Sequence, residues 1–438
     1  MSESTIGVAL IGCGIVGGGV AQIIADHQAL LQQRTGLAFE IRHVVVRDVS
    51  KPRPIKSVAA TTDWKAAIDD PRVSIVVELI GGTTTAADIV AYALKLGKHV
   101  VTANKSMLAA RGADLFGLAR KHNACIAFEA SCGGGIPIID ALCRGLIANR
   151  VDALVGIVNG TCNVILTRMT KNAWSYGEAL AEAQKLGFAE ADPTLDVSGR
   201  DAAQKLALLG SLAFDLRVSE SDIHVEGIDT LQTTDIKLAG ELGYVIKLLA
   251  IAERVGDRVA LRVHPTLVNH SDVLAEVGGS FNAISVYGSA VGHTLFYGRG
   301  AGAMPTASAV VADLVNVALG STPLHFKQLR IFPDTTPAAS VVPVSDLRSR
   351  YYLRLTTRDV PGVMAAVTAV LGRHSISLAS ISQRESNEGE LVPVVITTHV
   401  AREGSIRQAL QEIDALENIQ PATVCLRIID QPKEFAGN

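Results

Sequence analysis

The sequence predicts an α/β protein: a doubly wound parallel sheet, an α+β middle domain and a small C-terminal β-α-β-β-α-β module. Three observations predict it. A strand-like run at the start leads at once into a glycine-rich turn and a helix, and strand-like runs then alternate with helical segments to about residue 128. Strand and helix patterns mix in the middle of the chain. After a stretch rich in proline, serine and threonine at 333–345 the pattern restarts and closes on a strand near residue 429. The expected domains are 1–135, joined by a return helix near 304–320, then 136–335, and finally 346–438.

Composition narrows the class. The 438 residues are 48% hydrophobic and 19% charged, with 40 basic against 43 acidic side chains and a net charge of −3. No long run of like charge suggests nucleic acid or an anionic membrane as a partner. Neither a basic start followed by an apolar run nor an apolar stretch of spanning length occurs, so the cytoplasm is the expected location. Six scattered cysteines, without C-x-x-C spacing, read as reduced thiols.

The first strand, Ile6–Ile11, runs into Gly12-Cys13-Gly14-Ile15-Val16-Gly17 and a helix to about Asp26. This is the dinucleotide fingerprint of a Rossmann-type sheet in its required place. Gly12 allows the tight turn, Gly14 lets a pyrophosphate approach the backbone, and Gly17 lets helix and strand pack closely, with the phosphates at the Gly14, Ile15, Val16 and Gly17 end of the helix. Further strands are expected at 40–46, 73–80, 98–102 and 124–128. The second ends in Arg47-Asp48, with Lys51 and Arg53 behind. An acid there bonds the ribose hydroxyl of NAD, whereas an arginine accommodates the 2′-phosphate of NADP. The basic loop favours NADP, with NAD open and Arg47 alternatively a solvated charge. Lys105 lies just past the strand 98–102, where ligands of open α/β sheets bind. Gly300, in the glycine-rich run before a helix at 307–319, marks where the chain can return to the nucleotide site.

Two loops in the middle are rich in main-chain oxygens and polar groups. Glu129-Ala130-Ser131-Cys132-Gly133-Gly134-Gly135-Ile136-Pro137 can coordinate a hard monovalent cation or be a flexible turn between domains. The corner Asn159-Gly160-Thr161-Cys162 suits a small polar substrate, or is an ordinary helix cap by Asn159 or Thr161.

The charged loop from Ala189 to Lys205 carries Glu190, Asp192, Asp196, Asp201 and Lys205 into an apolar helix. At 100° per residue Asp201, Lys205, Leu208 and Leu212 share a stripe, so the charged pair points where the leucines point. Partial desolvation lets such groups bind an ammonium and move a proton. The plainer alternative is a capping box of Ser198 with Asp201 and a surface i,i+4 pair.

In the C-terminal module, strands at 351–355, 375–383, 391–399 and 424–429 surround helices at 364–373 and 403–415. This pattern resembles the ACT domain, a small amino-acid-sensing module, with Asp359-Val360-Pro361-Gly362 as its ligand loop. The alternative is a dimerising sandwich without ligand.

Together, the fingerprint at 12–17, Thr102-Ala103-Asn104-Lys105, Glu129–Pro137, Asn159-Gly160-Thr161 and Glu190 through Lys205 resemble homoserine dehydrogenase over essentially the whole chain. The resemblance implies NADPH- or NADH-dependent reduction of L-aspartate 4-semialdehyde to L-homoserine, in threonine and methionine biosynthesis, by a monofunctional homodimer or homotetramer with 136–335 as the substrate and dimerisation domain. It implies Lys205 as proton donor and Lys105 at the cofactor–substrate junction. Glu190, Asp196 and Asp201 would bind substrate or shape its pocket, with N–H groups near Gly160 and Thr161 on the substrate carboxylate. Glu129, Cys132, Gly134 and Ile136 would hold a monovalent cation such as sodium, mostly through main-chain oxygens. The ACT-like tail, of ferredoxin-like fold, implies feedback by threonine. Cys132 and Cys162 stand where this family more usually has Val and Thr. Two other readings compete: an aldehyde dehydrogenase with Cys132 as nucleophile, and a non-catalytic sensor of amino acids and dinucleotides.

Overall fold

The computed structural model describes residues 4–53, 55, 58–383, 387 and 389–430. It divides into two compact units: residues 1–158, 201–223 and 280–339, and residues 159–200, 224–279 and 340–438. The outermost stretches of the expected domains, 1–3 and 431–438, lie outside the described residues.

The first unit holds six parallel strands: β1 (Ser4–Ile11), β2 (Leu37–Val45), β3 (Ala60–Thr61), β4 (Val73–Glu78), β5 (His99–Thr102) and β6 (Ile126–Ala127). Their order, β3-β2-β1-β4-β5-β6, reverses between β1 and β4, which opens a ligand crevice at the carboxyl ends of those two strands. Val8, Ala9 and Leu10 of β1 are fully buried, as a strand covered on both faces must be. Helix Ile15–Asp26 follows the glycine turn and packs on helix Ala303–Ala318 so closely that a Cβ on Gly19 would stand 3.0 Å from that of Ala307. The return helix therefore starts four residues before the expected Ala307. Pro305 falls within its first turn, where a missing N–H costs nothing. An antiparallel set, Val151–Ile157, Phe281–Gly288 and Gly292–Arg299, completes the sheets of this unit with its buried helix Arg200–Phe214.

The second unit is built on the hairpin Tyr244–Val255 and Arg258–Asn269, turned at Gly256 with φ +59°. The ladder of these two twelve-residue strands continues through Pro265 opposite Leu248. A parallel pairing of Thr266 with Arg427 joins the hairpin to the C-terminal module. There the strands lie in the order Ile419–Ile428, Arg348–Arg358, Leu391–Thr398, Leu378–Gln383, the antiparallel arrangement of a ferredoxin-like fold. Helices Val363–Arg373 and Glu403–Asp414 bury Val367, Val370, Ile406, Ala409 and Ile413 against Leu353, Leu355, Val394 and Ile396. Helix Gly160–Asn172, helix Tyr176–Lys185 and the short helix Thr194–Val197 precede the hairpin. No single described helix is long and apolar enough to cross a membrane.

Candidate active site

The fingerprint glycines of the first unit divide into two kinds. Gly12 takes φ +102°, and a Cβ there would stand 2.7 Å from the Leu79 carbonyl oxygen; one on Gly17 would stand 2.2 Å from the Gly12 oxygen. Both are demanded by packing. Gly14 faces open space: a Cβ there would have no atom of the described residues within 4 Å. The helix that starts after it has no capping side chain among the described residues, so its first N–H groups remain available to an anion, and Ile15 beside them is 79% exposed. These features fit a dinucleotide pyrophosphate. Arg53 ties the turn to the segment after β2, its guanidinium donating to the Cys13 oxygen at 3.2 Å and the Asp48 oxygen at 2.8 Å. The Asp48 carboxylate accepts from the Ser50 N–H and hydroxyl, and Arg47 is exposed. Gly300 is buried against Asn282, whose side chain fills the place of any Cβ at 2.0 Å.

The carboxyl ends of β4 and β5 carry a network that sequence reading missed. Glu78, with no exposure, accepts from the Thr102 hydroxyl at 2.7 Å and from the N–H groups of Ile80 and Gly81. Thr102 in turn accepts from the Asn104 N–H, and Asn104 caps helix Lys105–Lys121 through the Met107 N–H. The one signal in the sequence is an acid ending an otherwise apolar strand. Its effect is to fix the first helical residue, Lys105, at the sheet edge.

Lys105 and Lys205 meet. Asp201, buried in the first turn of helix Arg200–Phe214, lies 3.1 Å from Lys105 Nζ through one carboxylate oxygen and 2.7 Å from Lys205 Nζ through the other. Lys205 also donates to the Val158 carbonyl at 2.7 Å. Its side chain is 12% exposed and that of Lys105 27%, so both ammonium groups are partly desolvated yet reachable. One residue away on each helix, the Ser106 hydroxyl donates to Gln204 at 2.8 Å and locks the helices in register. Leu208 and Leu212 are buried, but so is nearly every residue from Asp201 to Phe214, Ser211 included, so the helix is buried well beyond one apolar stripe. The capping-box reading is corrected: the helix starts at Arg200, Ser198 ends the preceding short helix, and its buried hydroxyl has no hydrogen-bond partner among the described residues.

In the loop after β6, Gly133 and Gly134 adopt φ +71° and +58°. The Glu129 carboxylate accepts from the Ile139 and Asp140 N–H groups, at 2.8 and 2.7 Å, and its own N–H donates to Asp313. Burial pushes the Glu129 carboxyl up to about 7, and burial together with the Glu129 charge pushes Asp313 up to about 8. The main-chain oxygens of Glu129 and Ile136 each accept one N–H, from Cys132 and Ile138, leaving each a further lone pair. No group of three or more His, Cys, Asp or Glu side chains is placed to hold a metal among the described residues. Cys132 is fully buried, and burial pushes its thiol up to about 12, which leaves almost no thiolate. All six cysteines are free.

In the second unit Asn159 is the helix cap, its carbonyl oxygen accepting from the Cys162 N–H and its amide donating to Asp196 at 2.7 Å. Thr161 donates to the Phe188 oxygen. The Cys162 thiol donates to the Asp196 carbonyl at 3.2 Å, a contact a threonine hydroxyl could equally make. Glu190 is exposed, with its main-chain oxygen held by Gln184.

Residues 12–129 match the family described as homoserine dehydrogenase, NAD binding domain, residues 137–315 match homoserine dehydrogenase, and residues 351–418 match the ACT domain. The chain is 42% identical over 428 residues to homoserine dehydrogenase of Pseudomonas aeruginosa, covering 96% of this chain and 98% of that one. It belongs to the homoserine dehydrogenase family. The Bacillus subtilis homoserine dehydrogenase is 41% identical over 97% of this chain and 98% of its own length. A crystal structure of homoserine dehydrogenase from Thiobacillus denitrificans superposes with a TM-score of 0.93 at 41% identity, covering 98% of this chain and 99% of that one. The fold is also that of a hyperthermophilic archaeal homoserine dehydrogenase in complex with NADPH, with a TM-score of 0.62 at 24% identity over 72% of this chain and 98% of that one. As a homoserine dehydrogenase the chain is an NAD(P)-dependent oxidoreductase acting on a CH–OH group, interconverting L-homoserine and L-aspartate 4-semialdehyde. Neither the thiol-dependent aldehyde dehydrogenase nor the non-catalytic sensor is supported.

Proposed function

We propose that Lys205 is the proton donor of this reaction and that Asp201 is the residue that positions it. The single observation that carries this reading is the paired hold of Lys105 and Lys205 on the two oxygens of Asp201. When bound, the nicotinamide dinucleotide supplies the hydride that turns the aldehyde carbon into an alcohol. Lys205 stabilises the charge growing on the substrate oxygen and then gives it a proton. Asp201, with both oxygens engaged, does not stand free for a substrate ammonium; its task is to keep two like charges together in one place. Lys105, at the start of its helix and fixed by the Glu78–Thr102–Asn104 network, adds the second positive charge. Glu190 and Asp196 are assigned to substrate recognition on the resemblance, with the N–H groups of Gly160 and Thr161 taking its carboxylate.

The cofactor reading favours NADP, because Arg47 is exposed at the end of β2 while the neighbouring acid, Asp48, is engaged by its own turn. Glu129, Cys132, Gly134 and Ile136 fit a monovalent cation: main-chain oxygens keep free lone pairs beside two buried carboxyl groups. Feedback by threonine is the reading of the ACT module. Steady-state oxidation of L-homoserine with NADP and with NAD, on the wild type, Lys205→Ala and Arg47→Ala, tests the assignment. Lys205→Ala should lose turnover with either cofactor, and Arg47→Ala should raise KM for NADP selectively. Retained turnover in Lys205→Ala would sink the proton-donor role.

A further inference from the structure

Within the first unit, Glu78 ends β4 directly opposite Ile11, the residue before the fingerprint turn, so its carboxylate lies where the strand order reverses. The residue has no exposure, and its described partners are all neutral: the N–H groups of Ile80 and Gly81 on one oxygen and the Thr102 hydroxyl on the other. The Thr102 oxygen itself accepts the Asn104 N–H, which leaves its hydrogen for Glu78. The carboxyl group therefore only accepts, the bonding set of the ionised form. A buried negative charge is costly, and neutral donors offset only part of that cost. Holding a turn does not require a charge, since asparagine and serine do it without one.

The space above this carboxylate is open. The loop it holds runs through Gly81 and Gly82, with φ +71° and +78°, both exposed and with no atom of the described residues within 4 Å of a Cβ at either. Asn104 donates to the Gly82 oxygen at 2.8 Å while it caps the helix that begins at Lys105. Glu78 thus stands beneath two walls of the crevice: the bare main chain of 81–82 and the start of the Lys105 helix.

The charges gathered here decide what that crevice accepts. Lys105 and Lys205 bring two positive charges, and Asp201, which bridges them, brings one negative. Glu129, in the loop after β6, is turned onto the N–H groups of Ile139 and Asp140. The two lysines and their aspartate leave one positive charge in excess. An oxidised nicotinamide ring is cationic and a reduced one is neutral, so an excess charge beside the ring acts on the two forms differently.

We propose that Glu78 is a specificity-determining residue for the redox form of the cofactor: its buried charge offsets the surplus of the lysine pair, so that the site takes the cationic, oxidised nicotinamide as well as the neutral, reduced one. The proposal rests on the reading that puts Lys105 at the cofactor–substrate junction, and it concerns cofactor binding, not proton transfer. Glu78 stays beneath its loop and acts through the field in the crevice.

Calorimetric titration of the full-length enzyme with oxidised NADP and with NADPH tests this, on the wild type, Glu78→Gln, Glu78→Asp, Thr102→Val and Lys105→Met. The quantity read is the ratio of the Kd for oxidised NADP to the Kd for NADPH. Glu78→Gln should raise it about fivefold or more, whereas Glu78→Asp, which keeps the charge, should hold it within about twofold of the wild type. Thr102→Val loosens the same network without altering charge, so both constants should move together and the ratio should stay. Lys105→Met removes the opposing charge and should lower the ratio. An unchanged ratio in Glu78→Gln, or an equal rise in Thr102→Val, overturns the proposal. If Glu78→Gln does not fold, Lys105→Met decides, and a ratio that fails to fall overturns it. Homoserine oxidation by Lys105→Met, read in the same samples, judges the catalytic reading separately: full turnover there would sink the junction role of Lys105 whatever the ratio does.

Discussion

Lys205 and Asp201 lie one helical turn apart, with Nζ 2.7 Å from the carboxylate, on a helix whose neighbouring side chains are buried leucines. An exposed i,i+4 pair of this kind contributes only a few tenths of a kcal/mol. Here the pair is largely buried, and the second oxygen of Asp201 serves Lys105.

Removing the amine and removing the carboxylate should therefore fail differently. Lys205→Ala takes away the proton donor and should lower kcat about 10²- to 10⁴-fold, leaving NADPH affinity, read by cofactor fluorescence, near the wild-type value. Asp201→Asn keeps both lysines but leaves two ammonium groups facing an uncharged amide. It should cost about 3 kcal/mol of stability, the low end for a broken buried pair because Lys105 is a quarter exposed, and lower kcat with little change in KM. Equal losses of kcat and NADPH affinity in Lys205→Ala would mean that the lysine only shapes the cofactor site.

Cys132 offers a sharper decision. Its thiol is fully buried and pushed up to about 12 by that burial, so Cys132→Ala should retain turnover within about threefold, since nucleophilic catalysis requires the thiolate. A loss comparable to that of Lys205→Ala would restore the thiol mechanism.

The fingerprint glycines should separate folding from binding. Gly17→Ala forces a Cβ to 2.2 Å from the Gly12 oxygen and should yield little soluble enzyme. Gly14→Ala meets no atom of the described residues within 4 Å, so thermal stability should hold while KM for the cofactor rises. Equal melting-temperature losses in both variants would contradict this division.

Much of this was legible in the sequence, for identifiable reasons. The strand, glycine turn and helix at 6–26 are local, and their periodicity survives in the fold. The stripe of Asp201, Lys205, Leu208 and Leu212 is a property of one helix, so it too could be read. What could not be read is the use of Asp201 as a bridge, because Lys105 comes from a strand end nearly a hundred residues earlier. Glu78 was hidden for the same reason, as its side-chain partner Thr102 lies on the next strand. Arg427 was hidden likewise, since it looks like an ordinary surface charge until Thr266 and Tyr351 pair with it in the folded sheet and Glu226 and Glu403 hold it.

That arginine also sets an acid limit. Burial opposes the charged form of Glu226, but hydrogen bonds from His224 and Arg427 prevail and hold its carboxyl well below the usual carboxylate range. A depressed carboxylate contributes stability above its unfolded value, near 4.3, and that contribution drains away as pH falls toward the folded value. Glu403, also lowered against its burial, chiefly by the Arg427 charge, acts in the same direction. The melting temperature of the wild type should thus fall steeply below about pH 4.5. Glu226→Gln should start lower at pH 7 and fall less over the same interval, the two curves converging in acid. Parallel curves would show that Glu226 is not linked to the acid transition, and that Arg427 is held chiefly by Glu403.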